Sequence, residues 1–221
     1  MTQELWTAVD NYIVATLLPE DPILDEAVRA SDEAGLPSIQ VSPPQGRFMF
    51  ILASVQGARR ILEIGTLGGY STIWLGRALP PDGKLITMEI NPKHADVARA
   101  NIERAGLADK VSVRNGDAHN LLPELERQID APFDLTFIDA DKASIPFYFE
   151  SALRMSRPGS LILVDNVIRE GAVIEPDSAD ASVQGVRKLN EMMSANVRLT
   201  STVIQTVGVK GYDGLAIALV N

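Results

Sequence analysis

The apolar positions of the chain change period near residue 60. Before it they recur at helical spacing. Leu5, Val9, Tyr12, Ile13 and Thr16 share one helical face. Pro19 and Pro22 interrupt that helix, and Pro22 suits the first turn of the next. Ile23, Ala27 and Ala30 carry the second helix to a stop at Gly35-Leu36-Pro37. Ser38 to Ser42 reads as a short extended linker. Pro43-Pro44 then opens a third helix, with Phe48, Met49, Ile51, Leu52 and Val55 on its apolar side. From residue 60 onward, short apolar runs alternate with helix-like stretches. The runs Ile61–Ile64, Lys84–Glu89, Val111–Arg114, Leu135–Asp139 and Ser160–Asp165 predict buried strands. Ser71–Ala78 predicts a helix. Asn91-Pro92, a capping residue followed by proline, predicts the start of another that ends near Gly106. Arg198–Val207 and Leu215–Val220 read as two last strands, joined through Gly208–Gly214 into a hairpin that closes the sheet edge.

Strands alternating with helices imply a parallel sheet with helices on both faces. The fold class is α/β: a mostly parallel seven-stranded, Rossmann-like sheet with a C-terminal antiparallel hairpin. Residues 1–221 are expected to form one domain, with 1–57 as an N-terminal helical cover and 58–221 as the core. The cover either shields a sheet edge or takes part in closing the site or in a dimer contact. In such sheets ligands bind beyond the carboxyl ends of the strands. The expected crevice is therefore lined by Gly65–Ser71, Glu89, Gly116–His119, Asp139–Lys142 and Asp165-Asn166.

Composition narrows the chemistry. A net charge of −9 argues against a nucleic-acid surface. There is no cysteine, which removes disulfides and thiolate metal sites. With only His94 and His119, a histidine-rich zinc site is also disfavoured, so any metal is expected on oxygen ligands: magnesium, with manganese or calcium as alternatives. No apolar run is long enough for a membrane span and no signal peptide is recognisable, so a cytoplasmic enzyme with no membrane partner is expected.

The chain is organised around Ile61–Ser71. An apolar strand runs into Gly65-Thr66-Leu67-Gly68-Gly69 and then into a helix. Glycines let the backbone turn sharply and approach a ligand closely. The spacing is Gly-x-x-Gly-Gly rather than the Gly-x-Gly-x-x-Gly of dinucleotide sites. Glu89 ends the following strand, where a carboxylate accepts ribose hydroxyls. A turn that grips a nucleoside without a pyrophosphate fits S-adenosylmethionine better than NAD.

Two neighbouring strand ends carry further chemistry. Phe137-Ile138-Asp139-Ala140-Asp141-Lys142 ends in two acids and a lysine, and Leu161–Asn166 ends in an acid and an amide. Side by side, Asp139, Asp165 and Asn166 would make a hard, partly open oxygen site for a divalent cation. Taken singly, each acid would read as a helix cap. Lys142 is the candidate general base, since an ammonium beside a dication loses its proton more readily. Asp141 either orients that lysine or faces the cofactor. His119 reads as a surface residue with adenine contact as the alternative, His94 as solvent-facing, and Trp6 and Trp74 as packing residues.

Glu63–Ser71, Phe137–Lys142, Val164-Asp165-Asn166 and Gly211-Tyr212-Asp213-Gly214-Leu215 together resemble the cation-dependent O-methyltransferases, the group of caffeoyl-CoA and catechol O-methyltransferases and their bacterial relatives. The resemblance spans nearly the whole chain and implies a Class I methyltransferase fold. It implies that Glu63, Gly65, Thr66 and Ser71 surround the amino-acid and ribose side of S-adenosylmethionine. It further implies that Glu89 binds the ribose, Ala118 lies by the adenine, and Val41 and Asp141 make further cofactor contacts. Asp139, Asp165 and Asn166 match metal ligands, and Lys142 matches the lysine that takes a phenol proton. The implied substrate is a small aromatic diol and the implied assembly a homodimer. Arg169–Val183, rich in Glu, Asp and Ser, has no clear match to a plant CoA-ester site. The alternatives are a metal-independent small-molecule methyltransferase, an NAD-type dehydrogenase on a similar sheet, and a non-catalytic nucleoside-binding or dimerising module.

Overall fold

Three helices precede the sheet in the computed structural model, which describes residues 2–221. They are α1 (Gln3–Leu17), α2 (Pro22–Glu33) and α3 (Pro43–Gln56). Each starts where the sequence supplies a cap. Thr2, Asp21 and Ser42 accept backbone N–H groups of the first turn, and proline follows directly after Asp21 and Ser42. The alternating region follows: β1 (Arg60–Ile64), α4 (Tyr70–Ala78), β2 (Lys84–Glu89), α5 (Pro92–Arg104), β3 (Val111–Asn115), α6 (Ala118–Gln128), β4 (Phe133–Ile138), α7 (Ile145–Arg154) and β5 (Ser156–Asp165). A 3-10 segment at Arg169–Ile174, α8 (Ala181–Ala195), β6 (Leu199–Gly208) and β7 (Gly211–Val220) complete the chain.

The seven strands form one sheet in the order β3-β2-β1-β4-β5-β7-β6. The first five are mutually parallel, and β7 runs antiparallel between β5 and β6. The strand order reverses between β1 and β4, which opens a crevice at their carboxyl ends. Strand alternation sorts the core into two layers. Ile61, Leu85, Leu135, Phe137 and Leu163 face α2 to α5, among Met49, Ile73, Trp74 and Ile102. Leu62, Ile64, Ile138, Ile162 and Val164 face α6 to α8, among Leu122, Phe149, Val186 and Leu189. All six residues of β4 are buried, as a central parallel strand covered on both faces requires.

Two element boundaries differ from the sequence reading. β5 begins at Ser156, not Ser160, because Phe133 pairs with Ser156 across a register shift, so Pro158-Gly159 lies at an irregularity inside the strand. The last hairpin is also tighter than expected. Gly208 pairs with Gly211, leaving only Val209 and Lys210 in the turn. The glycines after that turn belong to the ladder: at Gly214 an added Cβ would collide with the side chain of Ile168.

Candidate active site

One cavity of about 1390 Å³ opens at the carboxyl ends of β1, β2, β4 and β5. It exceeds the roughly 300–1,000 Å³ of an ordinary small-molecule site and has room for two ligands together. Of the twelve residues expected to act in catalysis, cofactor binding or metal binding, Glu63 alone does not line it.

The glycine turn is its floor. Gly65 has a φ of +99°, and a Cβ there would strike the carbonyl oxygen of Asp139, so glycine is needed for both the turn and the close packing of β1 on β4. Leu67 and Gly69 are also left-handed, at φ +50° and +84°. Glu89 holds this shape. Its Oε2 accepts the N–H groups of Thr66 and Leu67 at 3.3 and 2.8 Å, and its Oε1 accepts that of Asn91 at 2.9 Å. Glu89 therefore braces the loop as well as lining the cavity. His94 is not the solvent-facing residue expected. Its ring is largely covered, with Nδ1 3.7 Å from Glu89 Oε1, because the first turn of α5 packs over the end of β2.

Glu63 sits behind the wall. It is fully buried, and Ser71 and Thr72 donate their hydroxyls to its two oxygens at 2.6 and 2.5 Å. Burial pushes its pKa up to about 7 against these bonds. Its link to the cavity is Ser71, which does line it.

At the other side of the crevice the register aligns the acids. Ile138 pairs with Val164, so Asp139 and Asp165 leave neighbouring strands at the same level. Lys142 Nζ donates to Asp139 Oδ1 at 2.7 Å, with only a tenth of its side chain exposed. Gln45 of α3 donates to Asp165 Oδ2 at 2.8 Å, so the N-terminal cover reaches the site directly. Burial and the like charge of Asp139 together push Asp165 up to about 7. Asn166, at φ +58°, turns the chain away, and its side chain makes no hydrogen bond among the described residues. No group of three His, Cys, Asp or Glu gathers among the described residues. The set has two carboxylates and takes its third oxygen from an amide. A divalent cation fits that donor set, since it would relieve the repulsion between buried Asp165 and half-buried Asp139.

The remaining wall carries Asp141, which accepts from Tyr148 Oη at 2.5 Å and from the Ser144 N–H at 3.1 Å. His119 lies over this corner, stacked on Phe147 at 4.4 Å with Nε2 3.1 Å from Ser144 Oγ. Ala118 and Val41 complete the lining.

A family model described as O-methyltransferase matches residues 14–219. The chain belongs to this family of O-methyltransferases. A relative from Niastella koreensis, named catechol O-methyltransferase, is 51% identical over the whole of both chains. The O-methyltransferase of Bacillus cereus, solved in complex with SAH, is 52% identical and superposes with a TM-score of 0.98 over the whole of both chains. TomG of Streptomyces achromogenes, solved with SAM, is 51% identical with a TM-score of 0.97, covering 100% of this chain and 99% of that one. The protein is an S-adenosylmethionine-dependent O-methyltransferase with the Class I fold, as its motifs led one to expect. Among the described residues no helix is long and apolar enough to cross a membrane.

Several cavity residues of this O-methyltransferase escaped the sequence reading. Gln45 meets a partner 120 positions away, and no local pattern marks that. Tyr148 looks like a core aromatic until its hydroxyl is seen on Asp141. Arg169 and Lys210 come from segments read as a loop and a hairpin joint.

Proposed function

We propose that this O-methyltransferase methylates one hydroxyl of a catechol-type aromatic small molecule, and that it requires a divalent cation: magnesium first, manganese or calcium as alternatives. The observation that carries this reading is that Asp139, Asp165, Asn166 and Lys142 line the same cavity as the glycine turn, with Lys142 bonded to Asp139. The name of the Niastella koreensis relative supports the same substrate class.

Asp139, Asp165 and Asn166 are the residues that would hold the cation. Bound there, it would act as a Lewis acid toward the two oxygens of a vicinal diol. Lys142 is the general base: its Nζ takes the phenol proton, and its bond to Asp139 fixes where that nitrogen stands. Gln45 keeps Asp165 from swinging away. S-adenosylmethionine, which supplies the methyl group, would be held by Gly65, Thr66 and Ser71 around its amino-acid part. Glu89 would take the ribose, Ala118 the adenine side, and Val41 and Asp141 further contacts. Glu63 contributes from behind, by fixing the Ser71 hydroxyl. Much of the rate enhancement would come from holding the two reactants in line in one cavity.

The proposal includes one functional unit from 1 to 221, a cytoplasmic setting, no nucleic-acid or membrane partner, and a homodimer. In support of the last, Leu5, Val9 and Tyr12 of α1 are exposed on one helical face, apolar surface that a second copy would cover. The test of the reaction is methyl transfer from S-adenosylmethionine to catechol and caffeate after chelation and again after magnesium is restored. Loss and recovery of turnover supports the reading; unchanged turnover without metal rejects it.

A further inference from the structure

Past Asn166 the chain climbs along the cavity in an unfavourable conformation. Arg169 and Glu170 both have φ of +55°, and Gly171 follows at +96°. Two successive non-glycine residues in the left-handed region persist only where neighbours over-determine them. Here the neighbour is Asp213. Its Oδ1 accepts the N–H groups of Ile168, Arg169 and Gly214 at 2.8, 3.0 and 2.9 Å. The Val167 N–H adds a bond to the Gly214 carbonyl at 3.1 Å. The Gly211–Leu215 motif is thus a clamp on this strap, and the clamped strap makes Arg169 part of the cavity wall.

The guanidinium it presents is only loosely paired. Among the described residues it donates no hydrogen bond, and Nε is buried without a partner. The nearest carboxylate oxygen, Asp213 Oδ2, is 3.9 Å from Nη1, beyond hydrogen-bond reach. A guanidinium has five donors in a planar fork and keeps its charge at any working pH. Half-buried, with only this loose ion pair and no hydrogen-bonded partner among the described residues, it has donors free to match the geometry of a carboxylate. Lys210, from the turn between β6 and β7, lines the same cavity and spends one donor on the Ser38 carbonyl at 3.0 Å. Partial burial lowers its pKa, although the residue as a whole stays exposed. Both cations line the one cavity, in a chain of net charge −9.

We propose that the acceptor carries a carboxylate, as in a dihydroxybenzoate or a dihydroxycinnamate, and that Arg169, with Lys210 as a second cation, recognises it. This inference rests on the catechol reading and narrows it to the acidic members of that class.

The test compares catechol, 3,4-dihydroxybenzoate and dopamine as acceptors, with S-adenosylmethionine and magnesium, on the wild type, Arg169→Gln and Lys210→Gln. The wild type should prefer the carboxylate over neutral catechol at least tenfold in kcat/KM, and place the cationic amine last. Arg169→Gln should cost the carboxylate acceptor about tenfold more than it costs catechol, mostly through KM, equivalent to about 1.4 kcal/mol. Lys210→Gln should show the same bias more weakly. Equal wild-type kcat/KM for the carboxylate and catechol, or equal losses on both in Arg169→Gln, overturns the inference. The wild-type ratio decides even if a variant fails to fold. If none of the three is methylated, the catechol reading falls, and the inference is decided separately by calorimetry of 3,4-dihydroxybenzoate on the SAH-loaded protein. Weakening of at least tenfold in Arg169→Gln supports it, and unchanged affinity contradicts it.

Discussion

Gln45 Nε2 donates to Asp165 Oδ2 at 2.8 Å, joining the N-terminal cover to the end of β5 across 120 positions of sequence. The bond makes α3 part of the site. It neutralises none of the charge on Asp165, but it fixes the direction in which that carboxylate points. Outer partners of this kind commonly contribute about 10- to 100-fold to metal affinity. Gln45→Ala should therefore raise the magnesium concentration for half-maximal activity by about tenfold, with little change in the S-adenosylmethionine KM. A magnesium activation curve checks this; an unchanged curve would make the Gln45 contact incidental.

Glu63 gives a pH dependence with a definite sign. Its folded pKa of about 7 stands above the ordinary 4.5, so the folded protein binds more protons than the unfolded chain between those values. Stability from this group is fully present below about 4.5 and is lost as pH rises through about 7. Glu63→Gln keeps partners for Ser71 and Thr72 but removes the titration. The ligand-free variant should gain thermal stability relative to wild type as pH is raised across that window. Thermal unfolding of both proteins at several pH values measures the difference. A constant difference would show that Glu63 does not titrate there.

Lys142 separates chemistry from binding. Lys142→Ala removes the proposed proton acceptor, and general-base contributions are typically about 100- to 10,000-fold. Turnover should fall within that range while S-adenosylmethionine affinity changes by no more than about threefold. Single-turnover rates and equilibrium cofactor binding report the two terms. Equal losses in both would make Lys142 a cofactor ligand.

The sheet and most of the crevice were readable because their signals are local. Apolar runs of strand length, each followed by a helix start, specify the alternation, and the switch-point rule then names the strand ends that line the site. Asp139, Asp165 and Asn166 could be paired from sequence since neighbouring parallel strands bring their ends level. What was hidden depends on contacts between distant segments. His94 reads as solvent-facing by its helix position, and only the packing of α5 over β2 covers it. Glu63 is a polar residue in an apolar strand, and its partners Ser71 and Thr72 lie on the next helix. The family resemblance made it look like a wall residue, whereas strand alternation turns it toward α4. The Arg169 strap was opaque for a related reason: its left-handed residues are imposed by Asp213, and the local sequence would not choose them.

The central claim is that two neighbouring strand ends share one cation, and titration calorimetry of magnesium into the SAH-loaded protein tests it most directly. The wild type should bind one ion. Asp139→Ala and Asp165→Ala should each abolish that binding, and Asn166→Ala should weaken it. Magnesium binding that survives both aspartate substitutions would contradict the account.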